Sequence, residues 1–209
     1  MKKIIDILDY GMGNIGSIAN MLNYLGAKFR IISTYEEVDN SNALILPGVG
    51  KFDAAIKILE NKNIFKSIVS LSDNKSVPIL GICLGMQLLC RDSEEGQKQG
   101  LGLIDASVTK LDTSRHKKLK IPHMGWNYVN VCGKDNILAN FKDQLRFYFV
   151  HSFCVKTFDE SIVIGKTNYS EEFVSAVQRD NIIGLQFHPE KSHEYGMQVF
   201  RNFIKLTDE

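Results

Sequence analysis

Val77-Pro78-Ile79-Leu80-Gly81-Ile82-Cys83-Leu84-Gly85-Met86-Gln87-Leu88-Leu89 begins as an apolar run of strand length and ends on Met86, Leu88 and Leu89, which start a helix. At the junction a cysteine stands between two glycines, Gly81-Ile82-Cys83-Leu84-Gly85, the arrangement of the Gly-x-Ser-x-Gly elbow of hydrolases. A nucleophile on so tight a turn needs neighbours without bulky side chains, and a helix N-terminus favours the thiolate through its aligned amides. By residue type alone Cys83 would be an ordinary buried core cysteine. The flanking glycines favour a presented nucleophile instead.

Outward from this junction the same strand, glycine turn and helix pattern recurs. Ile4 to Leu8 is a short apolar run ending at Asp9-Tyr10-Gly11-Met12-Gly13-Asn14. Ile18, Met21, Leu22 and Leu25 then follow at helical spacing, and Gly26 stands where a C′ glycine would stop the helix. Lys28 to Ser33 and Ala43 to Leu46 read as further strands, with a helix from about Phe52 to Glu60 after Pro47-Gly48-Val49-Gly50. Such alternation favours a parallel sheet covered by helices. Beyond Gly102 the strands Ser107 to Leu111, Tyr128 to Val131, Arg146 to Val150 and Ile162 to Lys166 follow with little helix between them, predicting an antiparallel extension. A last strand, Ile182 to Phe187, leads to a terminal helix with Met197, Phe200, Phe203 and Ile204 on its apolar face.

Composition narrows the function class. A chain of 209 residues has room for one domain, 1–209, with a sizeable core. Apolar residues make up 44% and charged residues 23%, and the formal net charge is +1, so no overall field draws the protein to nucleic acid or an anionic membrane. A small-molecule substrate is expected. Asp6 and Asp9 interrupt the apolar run behind Met1-Lys2-Lys3, which argues against a signal peptide, and no run is long enough to span a bilayer. Cys83, Cys90, Cys132 and Cys154 have neither zinc-type spacing nor a disulfide framework, so a cytoplasmic protein without metal or cofactor is expected. Arg115-His116-Lys117-Lys118 carries no interleaved aromatics and reads as a solvated loop.

A cysteine nucleophile needs a base, and His188-Pro189-Glu190 supplies an imidazole with a carboxylate two residues on. If the segment is extended, both side chains face one side. Glu190 would then bond one ring nitrogen while the other exchanges a proton with Cys83. Alone, His-Pro-Glu is equally well a capped turn before the last helix. An oxyanion would need two backbone donors: Leu84 is one candidate, and the small residues of Pro47-Gly48-Val49-Gly50 offer another, or merely a tight turn.

These motifs together resemble the class I glutamine amidotransferases, and within them the glutaminase subunit of imidazole glycerol phosphate synthase. Gly81 to Leu89, the Pro47 to Gly50 loop and His188 to Lys191 carry the broad likeness, while Pro122-His123-Met124-Gly125-Trp126-Asn127 and Tyr148-Phe149-Val150-His151-Ser152 carry the narrower one. The resemblance covers nearly the whole chain. It implies a single-domain α/β fold whose central mixed, mostly parallel sheet is flanked by helices, with Cys83, His188 and Glu190 as a triad hydrolysing glutamine through a glutamyl thioester. Gly48, Val49, Gly50, Leu84, Gln87, Glu95, His151, Ser152 and Phe153 would hold the glutamine, with Val49 as an oxyanion donor. A (β/α)₈ cyclase would receive the ammonia in a heterodimer, docking near Asn14, Met124, Trp126, Asn127, Tyr148 and Lys191. Without the resemblance, Gln87 is a solvated helix residue, His151 and Ser152 a satisfied strand end, and Met124 and Trp126 as readily core as interface.

Two positions depart from the pattern: Gly16, where arginine or another larger residue is common, and Phe153, where tyrosine is usual. Position 16 falls near the expected partner and so bears on which protein receives the ammonia. A sugar-modifying amidotransferase of surface-polysaccharide synthesis is the alternative acceptor, and a binding subunit with a vestigial triad is a third reading.

Overall fold

The computed structural model describes residues 3–208 except 115, 117, 118, 134, 135, 140, 142 and 143. Arg115, Lys117 and Lys118 of the basic run therefore lie outside the described residues, as do Met1 and Lys2. In chain order the elements are β1 (Ile5–Leu8), α1 (Ile15–Tyr24), β2 (Phe29–Ile32), α2 (Tyr35–Asp39), β3 (Leu44–Leu46), α3 (Phe52–Asn61), α4 (Ile64–Ser72), β4 (Ile79–Ile82) and α5 (Leu84–Leu88). There follow β5 (Asp92–Ser93), β6 (Ser107–Lys110), β7 (His123–Val131), β8 (Leu145–His151), β9 (Phe153–Lys156), β10 (Val163–Tyr169), β11 (Glu171–Arg179), β12 (Ile182–Leu185) and α6 (His193–Asp208).

The strands form one mixed sheet in the order β2-β1-β3-β4-β12-β11-β10-β7-β8, with β9 branching from β11 to carry β6 and β5. From β2 to β12 every pairing is parallel. From β12 to β8 every pairing is antiparallel. The expected parallel core and antiparallel extension are both present. Within the parallel half, β1, β3, β4 and β12 are buried at every residue, as strands covered by helices on both faces must be. Side chains alternate between the two layers: Leu44 and Leu46 join the cluster packed by α3, α4 and α5, whereas Ile45 joins the one packed by α1 and α6. Each fully buried Leu, Ile or Phe contributes about 1.5–3 kcal/mol through loss of water contact, and the helices supply theirs in stripes. Phe52, Ala55, Ile56 and Leu59 come from α3, and Val199, Phe200 and Phe203 from α6.

Helix α1 ends as its sequence directs, with Gly26 at φ 67° just beyond Leu25. Several elements were not anticipated. Helix α2 has only five residues, too few to show a period, and is fixed by a capping box between Thr34 and Glu37. Helix α4 and strands β5, β9 and β11 were likewise unread. Strand β11 sits between β12 and β10 with both faces buried from Phe173 to Val177, so its side chains lack the alternation that marks a half-exposed strand.

Because β1, β3, β4 and β12 run parallel, their C-terminal ends lie along one edge. The loops after β1 and β3, the turn after β4 and the segment after β12 all open there, where ligands bind in open α/β sheets.

Candidate active site

Cys83 follows β4 directly and precedes α5, with φ 54° and ψ −108°. A positive φ on a side-chain-bearing residue is strained and persists only where the surroundings enforce it. Here the surroundings are the two glycines. A Cβ on Gly85 would stand 1.9 Å from the Leu46 carbonyl oxygen, and one on Gly81 2.7 Å from the Gly85 carbonyl carbon. Only glycine at both positions lets α5 lie this close to β3 and β4. The elbow predicted from the sequence is present, although α5 is a short helix and offers few aligned amides.

His188 and Glu190 come together differently from the expectation. The segment is not extended: Pro189–Lys191 is a turn of 3₁₀ helix with His188 as its N-cap. That turn sets His188 Nδ1 2.8 Å from Glu190 Oε1. Asn14 Nδ2, from the loop before α1, donates to the same oxygen at 2.9 Å. His188 and Glu190 are almost wholly buried. Burial pushes the His188 pKa down, but the neighbouring Cys83 and Glu190 outweigh it and raise it to about 10. Burial would raise the Glu190 pKa, yet the His188 and Asn14 contacts hold it below the usual carboxylate range. His188 Nε2 has no hydrogen-bond partner among the described residues, while the Cys83 thiol donates to the Val150 carbonyl at 3.8 Å. No described group other than the Cys83 sulfur competes for that ring nitrogen.

Cys83 and His188 open into a cavity of about 270 Å³. Of the residues expected to hold substrate, Val49, Gly50, Leu84, Gln87, Glu95, His151, Ser152 and Phe153 line it. Gly48 does not, but a Cβ there would meet the Gly85 amide nitrogen at 2.8 Å, so it packs the loop after β3 against the elbow. Tyr10 fastens that loop from below, its hydroxyl donating to the Pro47 carbonyl at 2.9 Å. Burial pushes the Tyr10 phenol pKa well up, with Cys83 adding to the effect, so it remains a donor. Glu95 is held from the far wall, where its Oε2 accepts the Phe52 amide at 2.9 Å. Pro122 and Val150 also line the cavity and were not singled out, although both lie inside quoted motifs.

Behind His151 lies a second buried histidine, His123. Its Nδ1 is 2.9 Å from His151 Nε2, and His151 Nδ1 is 2.8 Å from the Phe153 carbonyl oxygen. Burial lowers both pKa values, to about 4 for His123 and about 3 for His151, so both rings are neutral near pH 7.

Strands β7 and β8 carry Met124, Trp126, Asn127 and Tyr148 of the predicted docking residues, and Lys191 lies in the turn after His188. Met124, Trp126 and Tyr128 alternate outward on β7 and are 62%, 37% and 47% exposed, with Trp126 paired to Tyr148 on β8. Lys191 Nζ lies 5.8 Å from the centre of the Tyr148 ring. Asn127 points to the opposite face, where Nδ2 meets the Asn168 carbonyl at 2.9 Å and His123 Nε2 at 3.2 Å. The structure thus joins Met124, Trp126, Tyr148 and Lys191 in one surface, places Asn14 at the triad, and turns Asn127 inward. Among the described residues no cluster of three or more His, Cys, Asp or Glu is arranged to hold a metal ion.

The chain is similar to known proteins over nearly its whole length. Residues 6–206 match the family model described as glutamine amidotransferase class-I. The imidazole glycerol phosphate synthase subunit HisH 2 of Methanococcus maripaludis is 46% identical over 97% of this chain and 99% of its own length. The subunit HisH of Leptospira borgpetersenii is 44% identical over 97% of this chain and all of its own. Among solved structures, a glutamine amidotransferase superposes with a TM-score of 0.76 at 18% identity, covering 98% of this chain and 99% of that one. The PurLQS structure from Thermotoga maritima gives 0.75 at 20% identity, with the same two coverages. At these identities the structural likeness concerns the fold.

Proposed function

The chain belongs to the class I glutamine amidotransferases, and on that premise we propose that it is the glutamine-hydrolysing subunit of an imidazole glycerol phosphate synthase. The observation that carries the reading is whole-length identity above 40% to subunits of that synthase, joined to a cavity into which Cys83 and His188 both open. Such identity does not favour a sugar-modifying acceptor, and the family's enzymatic activity does not favour a vestigial site.

In the proposed reaction the Cys83 proton already rests on His188 Nε2, as the raised pKa of that imidazole requires, and Sγ attacks the glutamine carboxamide carbon. The oxyanion is met by the amides of Leu84 and Val49. His188 then returns the proton to the departing ammonia, leaving a glutamyl thioester. Water, deprotonated by the same nitrogen, attacks the thioester and releases glutamate and the free thiol. Glu190 keeps Nδ1 protonated and supports the imidazolium, with Asn14 holding the carboxylate in place. Gln87, Glu95, His151, Ser152, Phe153 and the Gly48 to Gly50 backbone bind the glutamine.

The ammonia goes to a second subunit, which we take to be a (β/α)₈ cyclase forming imidazole glycerol phosphate and an aminoimidazole carboxamide ribonucleotide in histidine synthesis. Its docking face would comprise Met124, Trp126, Tyr148 and Lys191, with Trp126 and Tyr148 as aromatic anchors. A cytoplasmic location fits a subunit whose four thiols are free. Among the described residues no helix is long and apolar enough to cross a membrane.

The test is glutamine turnover by the purified chain alone, with the organism's histidine-pathway cyclase subunit, and with that cyclase and its nucleotide ligand. Strong stimulation by cyclase plus ligand is expected. A folded cyclase that neither binds nor stimulates would remove the histidine assignment.

A further inference from the structure

Gln186 follows β12 and is completely buried, and its side-chain Nε2 lies 3.7 Å from Cys83 Sγ. An amide can present either its NH₂ group or its oxygen to a neighbour, so its partners must fix which one the sulfur meets. Those partners form a chain whose direction is set by one backbone group. The Phe153 carbonyl can only accept, so the Gln87 atom 3.2 Å away must be its NH₂ group. The same NH₂ group stands 3.1 Å from the other end of the Gln186 amide, which must therefore be oxygen. This leaves the Gln186 NH₂ group facing sulfur.

Inverting either glutamine would oppose two like groups in a region where they are almost wholly hidden from water. The other side of the carbonyl points the same way. His151 Nδ1 donates to Phe153 oxygen, so Nε2 accepts from His123 Nδ1, and His123 Nε2 accepts from Asn127. The sulfur thus has two opposed contacts. The Val150 carbonyl accepts its S–H and favours the thiol, whereas an N–H donor favours the thiolate.

We propose that Gln186 is a further catalytic residue, whose amide N–H donates to Cys83 Sγ and stabilises the thiolate, and whose direction is imposed by Gln87 and the Phe153 carbonyl. The proposal rests on Cys83 being the nucleophile.

Alkylation of Cys83 by iodoacetamide, followed across pH on the full-length chain and read at its own peptide by mass spectrometry, separates it from Cys90, Cys132 and Cys154. In Gln186→Met the rate on the rising limb of the profile falls about tenfold, the size expected for one lost hydrogen bond to a charged acceptor. The profile moves about one pH unit upward and rejoins the wild-type rate in alkali, where thiolate forms without help. A role in packing alone would change the rate by the same factor at every pH. Superimposed profiles, or a constant factor between them, overturn the proposal. If thermal unfolding shows that Gln186→Met does not fold, Gln186→Asn, whose amide stops one methylene short of the sulfur, takes its place. An upward displacement supports the donor, and an unmoved profile removes it. Failure of the glutaminase reading is recognised separately: wild-type Cys83 would then ignore a glutamine-like electrophile such as diazo-oxo-norleucine.

Discussion

Asn14 shows how a single residue serves the site without touching the substrate cavity. It is the N-cap of α1, yet its side chain makes no capping hydrogen bond and instead donates to the Glu190 oxygen that also faces His188. Asn14→Ala therefore removes support from the triad with little loss to the helix. One hydrogen bond to a charged group is worth about 1.5–3 kcal/mol. The expected outcome is a kcat for glutamine hydrolysis lower by roughly tenfold or more, by the conversion of about 1.4 kcal/mol per tenfold in rate. KM should be nearly unchanged, while the unfolding temperature falls by a few degrees because the same bond is lost from the fold. Steady-state kinetics beside thermal unfolding would check it, and a loss confined to KM would contradict the assigned role. At this scale the sequence was legible wherever chemistry was concentrated in a few neighbours. The glycines around Cys83 and the His188-Pro189-Glu190 run needed no tertiary information. Asn14 was read only as a docking residue; its contact with Glu190, 176 residues away, and that of Tyr10 with the Pro47 carbonyl were not legible, because no local pattern records a contact made across the sheet.

At the scale of elements, α1 carries the most evident local weakness. Gly16 lies in its first turn, exposed, and a Cβ there would meet nothing within 4 Å. Gly16→Ala should raise the stability of the isolated chain by about 0.5–1 kcal/mol, by restricting the unfolded chain and favouring helix. Urea unfolding measures this, and a destabilised variant would contradict the open surroundings. Strands β7 and β8 show what patterning can and cannot convey. Alternation along β7 separates outward Met124, Trp126 and Tyr128 from inward His123, Gly125 and Asn127, and a strict period of two would have turned Asn127 away from the docking face. The pairing of β7 with β8, and hence the buried contact of His123 with His151, depends on a register that no single strand encodes. Strand β11 escaped because it is buried on both faces, and α2 because it is shorter than the window in which a helical period can be seen.

For the whole molecule, the same histidines predict how stability depends on pH. His123 and His151 have folded pKa values lowered to about 4 and about 3, while an unfolded histidine titrates near 6.5. On acidification from about pH 6.5 the unfolded chain takes up protons that the folded one refuses, so stability falls. Glu190, with its depressed value, adds its own loss only below the ordinary carboxylate range. His188 has the opposite sign. Its raised value stabilises the fold fully below about 6.5, and that contribution is lost as the pH rises toward about 10. Urea midpoints should therefore drop between pH 6.5 and 4.5, in a window where His188 contributes no slope, and a flat profile there would contradict two buried neutral histidines. At this scale the parallel core and its antiparallel extension followed from the order of strands and helices, whereas the neighbours of each strand did not.

The central claim is that Cys83 releases ammonia from glutamine for use by another subunit. Its most direct test is synthase activity of the Cys83→Ala protein, assembled with its cyclase and supplied with either glutamine or an ammonium salt. Cys83→Ala should abolish glutamine-dependent synthesis while ammonia-dependent synthesis stays close to that of the wild type. Equal loss with both nitrogen sources, or retained use of glutamine, would contradict the account.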